Sequence, residues 1–335
     1  MRICVVGVGA IGGYLAVRLA GSGHAITVIA RGAHLSAIRA RGLTLVRRDD
    51  STETARVRAT DRFDEAGHQD LVILGVKAHQ IAPIAEAIPL LFHDTTTLLT
   101  LQNGIPWWYF HREGGEFEGH KLRSVDPGEA ISRHVDADRI IHSVVYPAAE
   151  LVEPGVIHHH EGDRFPLGEP SNQLTQRVQL VSQALTDAGL RAPVLTDLRG
   201  EIWLKLIGNV ALNPISALTH AGVAAICRYA LTRELMKILM TEAKSVAERL
   251  GVTIRLPIER RIEGAEKLGA HKMSTLQDVE AGRELEIDAM LGAVSELGDM
   301  TGVPTPSIKS LYACTKLLEK SYLDAGAAVR LDALR

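Results

Sequence analysis

The chain has 335 residues, with 37 basic and 40 acidic side chains and a formal net charge of -3. That length accommodates two domains with cores of their own. The near-balance of charge gives no reason to expect nucleic acid or an anionic membrane as partner, and no apolar run reaches the roughly 20 residues that span a bilayer.

Cys4, Cys227 and Cys314 are far apart and odd in number, which argues against a disulfide framework or a metal knuckle and makes the cytoplasm the expected compartment. A small ligand is therefore the expected partner. In chain order, "RICVVGVGAIGGYLAVRLAGSGHAITVIAR" opens with a β-branched run, passes through glycines into a helical pattern, and returns to a strand at Ala25 to Ala30. An early arginine before an apolar stretch superficially resembles a signal peptide, but the regularly placed glycines favour a βαβ unit. Gly7, Gly9 and Gly12, with Ala10 and Ile11 between them, fill the G-x-G-x-x-G template. Gly7 permits the tight turn, Gly9 lets the backbone approach a pyrophosphate, and Gly12 allows helix and strand to pack closely. The helix N-terminus then offers free N–H groups to the phosphates.

At the end of the second strand an acid would select NAD by bonding its ribose hydroxyls. Arg31 stands there instead, and a planar guanidinium suits a 2′-phosphate, so NADP(H) is the expected cofactor. The alternative is a solvated arginine in a region that Arg39 and Arg41 make basic anyway. "DLVILGVKAHQ" (70 to 80) and "TTLLTLQNGI" (96 to 105) read as buried parallel strands ending in Lys77 and Asn103. Ligands of open parallel sheets lie beyond the carboxyl ends of the strands, and Gly9, Arg31, Lys77 and Asn103 all fall at such ends. Lys77 could also be a solvated lysine at a helix start, and Asn103 a plain N-G turn residue.

Trp107, Trp108, Tyr109 and Phe110 then cluster in a chain that is only 4% aromatic. They form either a lid or substrate wall, or a hydrophobic plug under a loop. Strands resume near residues 139 to 169. His158, His159 and His160 sit there in succession, but alternate residues of a strand face opposite ways, so no metal site is expected.

From about residue 196 helical periodicity takes over. "EIWLKLIGNVALNPISAL" (201 to 218) is apolar almost all round yet carries Lys205, Asn209 and Asn213, four residues apart on one helix face. A buried polar stripe needs partners, from other side chains or from a ligand. An amphipathic helix follows over 231 to 250 with Gly251 as its stop. A second long helical pattern runs from Ser274 to Gly302 and contains Glu286, and a final helix covers 308 to 322. Taken alone, Glu286 could belong to a solvated face and Ser274 could be an ordinary N-cap. The expected fold is α/β: a Rossmann-type dinucleotide-binding domain over 1–196, followed by an all-α substrate domain over 197–335.

"GVGAIG", Arg31, "VKAHQ", "QNGI", "EIWLKLIGNVALNPISAL" and "STLQDVEAGRELEID" together resemble the ketopantoate reductases, the NADPH-dependent 2-dehydropantoate 2-reductases, over nearly the whole chain. The resemblance implies that Lys205 is the catalytic acid and that Glu286 accepts a substrate hydroxyl while keeping the lysine charged. It places Asn209, Asn213 and Ser274 at the substrate, Asn103 at both substrate and cofactor, Arg31 at the 2′-phosphate, Lys77 on the cofactor side, and the backbone of Ala149 near the nicotinamide. The implied activity is reduction of a 2-oxo acid, ketopantoate to pantoate, on the way to pantothenate and coenzyme A. "HAGV" at 220 to 223, the aromatic stretch and "SVDPGEAI" depart from the family pattern, so another branched or aromatic 2-oxo acid is the alternative substrate. A different class of function, an NADP(H)-binding sensor without catalysis, would have little use for both Lys205 and Glu286. The long helices are compatible with a homodimer or with a packed monomer.

Overall fold

A computed structural model gives the structure of residues 1–330. They form two compact units: Met1–Gln102, Trp107–Lys121 and Gly128–Leu198 make the first, and Asn103–Pro106, Leu122–Pro127 and the chain from Arg199 onward make the second.

The first unit contains, in order, β1 (Arg2–Val6), α1 (Ala10–Gly21), β2 (Ala25–Ile29), α2 (Gly32–Arg41), β3 (Leu43–Val46), β4 (Thr52–Ala55), β5 (Arg58–Thr60) and α3 (Phe63–Ala66). It continues with β6 (Gln69–Leu74), β7 (Phe92–Thr100), β8 (Ile140–Ser143), β9 (Ala148–Glu153), β10 (Val156–Glu161), β11 (Leu167–Gly168) and α4 (Gln176–Asp187). Seven strands form one sheet in the order β11-β8-β7-β6-β1-β2-β5, all parallel except β11. β1 lies inside it, between β6 and β2, with Ile3, Cys4, Val5 and Val6 covered, as a strand with both faces packed requires. The chain reverses its winding on either side of β1, which puts a crevice at the carboxyl ends of β1 and its neighbours.

The strands after residue 147 do not extend this sheet. β9 and β10 pair with each other and, through β10, with β3, giving a separate four-stranded sheet ordered β4-β3-β10-β9. Helix α1 packs against strands of both sheets, which explains why it is apolar nearly all round: Gly12 through Val17 are all buried. A Cβ on Gly13 would sit 2.6 Å from the Ile157 side chain of β10, and Tyr14 stacks on His159 with ring centroids 4.6 Å apart.

The second unit is helical: α5 (Leu198–Thr219), α6 (Val223–Arg228), α7 (Ala230–Arg249), α8 (Ile258–Glu266), α9 (Ser274–Glu280), α10 (Ala293–Thr301) and α11 (Pro306–Asp324). Gly251 follows α7 with φ +79, the left-handed stop expected of it. The single long helix expected over 274 to 302 is broken. α9 ends at Glu280, Gly282 turns left-handed at φ +63, and the chain resumes as a π-helical turn over Asp288–Gly292 that leads into α10. The cause lies in α11. Glu319 accepts the Leu285 N–H at 2.7 Å, and Tyr322 donates to the Arg283 carbonyl at 2.6 Å. These side chains take up backbone groups that a continuous helix would have paired internally. Ser274, whose alternative reading is an ordinary N-cap, is the first helical residue of α9, with Met273 in the cap position. Among the described residues no helix is long and apolar enough to cross a membrane.

Candidate active site

In the first unit the turn after β1 is built from backbone. Gly7 has φ +87, and a Cβ there would lie 2.4 Å from the Val76 side chain. A Cβ on Gly12 would fall 2.1 Å from the Gly7 carbonyl oxygen, so α1 can start against the turn only with glycine at that position. Gly9 is the reverse case: a Cβ there would meet nothing within 4 Å. It is also the N-cap of α1, which has no side-chain capping bond. An open surface over uncapped N–H groups fits a pyrophosphate.

Sequence reasoning passed over Gly75, which follows β6. A Cβ there would be 2.4 Å from the Gly7 carbonyl, so β6 and the glycine turn approach each other closely. The signal was available in the glycine of "LGVK" directly after an apolar run. The strand also ends earlier than expected, at Leu74. Gln102 donates from Nε2 to the carbonyls of Leu74 and Val76 at 2.9 and 2.8 Å, and Lys77 is the N-cap of a short 3-10 turn over Ala78–Gln80. β7 likewise stops at Thr100, short of Asn103. Arg31 is exposed as the N-cap of α2, just past the carboxyl end of β2. Its neighbours are committed elsewhere: Arg39 donates to the Ala59 carbonyl and Arg41 to that of Pro154, each at 3.0 Å. Ala149 belongs to a strand that packs against α1. It lies in β9 opposite His159, on the four-stranded sheet.

The four aromatic residues at 107 to 110 are all buried, with Trp108 against His142 at 5.3 Å and Tyr109 edge-on to Phe110 at 4.9 Å. They are a plug in the interior of the first unit. Of the three successive histidines, His158 and His160 share one face with Nδ1 atoms 3.2 Å apart, and His159 turns to the other face.

The second unit gathers side chains. Lys205, in the middle of α5, donates to Asn103 Oδ1 at 2.6 Å, and Asn103 Nδ2 lies 3.4 Å from Glu286 Oε2. Asn103 thus joins this unit rather than the sheet that leads to it. Its segment is tied down two residues later, where the Ile105 N–H donates to the Ala289 carbonyl of the π turn at 2.8 Å. Gly104, with φ +85, lies so close to Ala289 that a Cβ would come within 2.2 Å of that same carbonyl. Burial pulls the Lys205 ammonium down from 10.5 to about 8, and the negative charge of Glu286 opposes the fall. At pH 7 roughly nine in ten of these lysines still carry a proton, now more readily given up.

The polar stripe on α5 is graded. Lys205 and Asn209 keep some exposure, whereas Asn213 is 1% exposed. Asn213 Nδ2 contacts Met290 Sδ at 3.6 Å, and its Oδ1 is buried with no protein donor among the described residues. A buried carbonyl oxygen of this kind accepts from a water or from a bound ligand. Ser274 stands exposed at the start of α9.

A Rossmann-type glycine turn, and a lysine of lowered pKa influenced by a carboxylate, fit an oxidoreductase that uses a nicotinamide dinucleotide. The profile described as Ketopantoate reductase PanE/ApbA matches residues 3–172, and that described as Ketopantoate reductase PanE/ApbA C terminal matches residues 197–319. The chain belongs to the ketopantoate reductase family. A 2-dehydropantoate 2-reductase of Mesorhizobium japonicum is 49% identical over 319 residues, covering 95% of this chain and 98% of that one. A solved structure from Ralstonia solanacearum MolK2, provisionally named a ketopantoate reductase, has a TM-score of 0.92 at 39% identity, over 96% of this chain and 98% of that one. D-mandelate dehydrogenase bound to NADH and anilino(oxo)acetate has a TM-score of 0.83 at 23% identity, over 96% of this chain and 99% of that one, a likeness of fold alone.

Proposed function

We propose that the chain reduces ketopantoate to pantoate with NADPH. The observation that carries this reading is the Lys205–Asn103–Glu286 cluster, found in a chain 49% identical to a relative named for that reaction. Bound NADPH supplies the hydride to the ketone carbon. Lys205 gives its proton to the ketone oxygen, and its positive charge stabilises the alkoxide as it develops, so that the C=O becomes CH–OH with one hydride and one proton. Asn103 holds the ammonium in place by its side-chain oxygen. Glu286 keeps the lysine charged against burial and accepts the substrate hydroxyl. Asn209, Asn213 and Ser274 bind the rest of the acid, with the buried Asn213 Oδ1 as the acceptor best suited to a ligand donor.

On the cofactor side, Gly7, Gly9, Ala10, Ile11 and Gly12 take the pyrophosphate, Arg31 the 2′-phosphate, and Lys77, Asn103 and the Ala149 backbone the remainder. The exposure of Arg31, beside two arginines already bonded to carbonyls, supports NADP(H) over NAD(H). Cys4, Cys227 and Cys314 are free thiols, which supports a cytoplasmic setting. Exposed Tyr229, Leu231 and Ile238 along α7 support a homodimer, which light scattering would test.

The test is NADPH consumption with ketopantoate, run beside other branched and aromatic 2-oxo acids and with NADH in place of NADPH. Turnover confined to ketopantoate and NADPH is expected. Faster turnover of another acid would overturn the substrate, and NADPH binding without turnover of any acid would overturn catalysis itself. The aromatic stretch no longer favours an aromatic substrate, since its side chains are buried in packing.

A further inference from the structure

One side chain joins the glycine turn to the helix that carries Arg31. His34, three residues after Arg31, has its Nε2 at 2.8 Å from the Val8 carbonyl, and its Nδ1 accepts the Gly155 N–H at 2.9 Å. A carbonyl can only accept and an N–H can only donate, so these partners select the neutral tautomer with its proton on Nε2. Burial also holds the imidazole below its usual pKa. Val8 lies between Gly7 and Gly9, inside the phosphate turn. Gly155 is in the β9–β10 turn, and its own carbonyl accepts from Thr44 N at 2.8 Å. The ring therefore fixes three separate stretches of backbone at one point.

The strand end before Arg31 is tied by backbone, Gly7 N–H to the Ile29 carbonyl at 3.1 Å and Ala30 N–H to the Thr60 carbonyl at 3.0 Å, and His34 adds the tie on the helix side. Helix α2 buries only Leu35 and Ile38, and its bonds from Arg39 and Arg41 act near its far end. In NADP(H) the pyrophosphate and the 2′-phosphate are joined through one ribose, so a protein that grips both must hold its two anion sites at a matching separation.

We propose that His34 is a positioning residue for cofactor choice, a strut that sets Arg31 against the glycine turn so that both phosphate groups of NADP(H) are met together. This rests on the reading of Arg31 as the 2′-phosphate contact. The strut touches neither phosphate; it acts through the backbone on either side.

Kd values for NADPH and NADH, measured on the full chain for the wild type, R31A, H34L, H34Q and the R31A/H34L pair, test it. H34L should weaken NADPH by about tenfold or more while NADH changes by less than about threefold. H34Q, whose amide can still donate and accept, should recover most of the preference, and H34L should cost nothing further in discrimination once Arg31 is gone. Should H34L not fold, His34→Asn, polar but too short to span both partners, gives the same readout. Equal loss of both cofactors would reduce His34 to general support of the turn and overturn the proposal. R31A with its NADPH preference intact would overturn the Arg31 reading and the proposal with it, whereas R31A losing the preference while H34L keeps it would overturn the role of His34 alone.

Discussion

The two units build their candidate functional residues in opposite ways. In the first, the glycine turn occupies six consecutive residues, 7 to 12, and works by what is missing: a single methyl at Gly12 would lie 2.1 Å from a carbonyl oxygen. In the second, Asn103, Lys205 and Glu286 come from positions up to 183 apart and work by what is present, namely an ammonium, an amide and a carboxylate. The backbone site is local and rigid, so substitution can only obstruct it. The side-chain site is assembled by tertiary contacts and tuned by charge, so it can be moved by degrees.

The largest expected effect is at Lys205. Replacing it with Met should lower kcat by about a thousandfold or more, since proton donor and positive charge disappear together, while the Kd for NADPH stays within about twofold. The same change should raise stability. Because the folded pKa of Lys205 is depressed below 10.5, its burial costs the fold most below pH 8, and the cost fades as pH rises from about 8 to 10.5. K205M should therefore unfold about 1–2 kcal/mol harder than the wild type at pH 7, with the gap closing at high pH; a less stable K205M would show the lysine to be structural. Gly12→Ala is next and reverses the pattern: NADPH affinity should fall by about two orders of magnitude, read by calorimetry, with melting lowered as well, because neither carbonyl nor helix can yield 1 Å cheaply.

Glu286→Gln separates position from charge. Wild-type kcat/KM should decline as pH rises through about 8, where Lys205 loses its proton. Removing the negative charge lowers the lysine pKa further, so the declining limb in E286Q should shift to lower pH, along with a roughly tenfold to hundredfold loss of kcat/KM. An unmoved limb would disconnect Glu286 from the lysine.

The same contrast governs how much the sequence could tell. The glycine turn was legible because spacing within six residues encodes it, and α5 because a 22-residue apolar-rich run fits a buried helix. The four-stranded sheet was not: β3 and β4 are four residues each, and "TETA" gives no apolar alternation until it is paired. The break between α9 and the π turn was hidden as well, because the groups that hold it open, on Glu319 and Tyr322, lie more than thirty residues further on. Lys205 stood out as a polar residue on an apolar helix. Its partners did not, and only likeness to a family joined residues 103, 205 and 286 before the fold placed them together. Asn103 looked like the end of a strand, yet its packing against Ala289 assigns it to the helical unit.

The smallest effect expected is the most discriminating for that assembled site. Asp288, two residues after Glu286, accepts from Tyr312 Oη at 2.5 Å and from Lys316 Nζ at 3.2 Å. Lys316 also reaches Glu319 Oε2 at 2.5 Å, and Glu319, only 6% exposed, holds the Leu285 N–H on the other side. Glu286 is thus flanked by two residues that α11 grips, and Gly292 of the π turn packs closely on Tyr312, whose hydroxyl and ring lie 3.2–3.3 Å from where a Cβ would stand. Tyr312→Phe removes one bond from this clamp while keeping the ring, at a cost of about 1 kcal/mol in stability. If the clamp sets the aim of Glu286, KM for the 2-oxo acid should rise by about threefold to tenfold with kcat nearly unchanged, since the hydroxyl contact proposed for Glu286 is a binding contact and the lysine is untouched. An unchanged KM beside the same loss of stability would mean that α11 holds the break in the helix open for the sake of the fold, and that Glu286 takes its aim from Asn103.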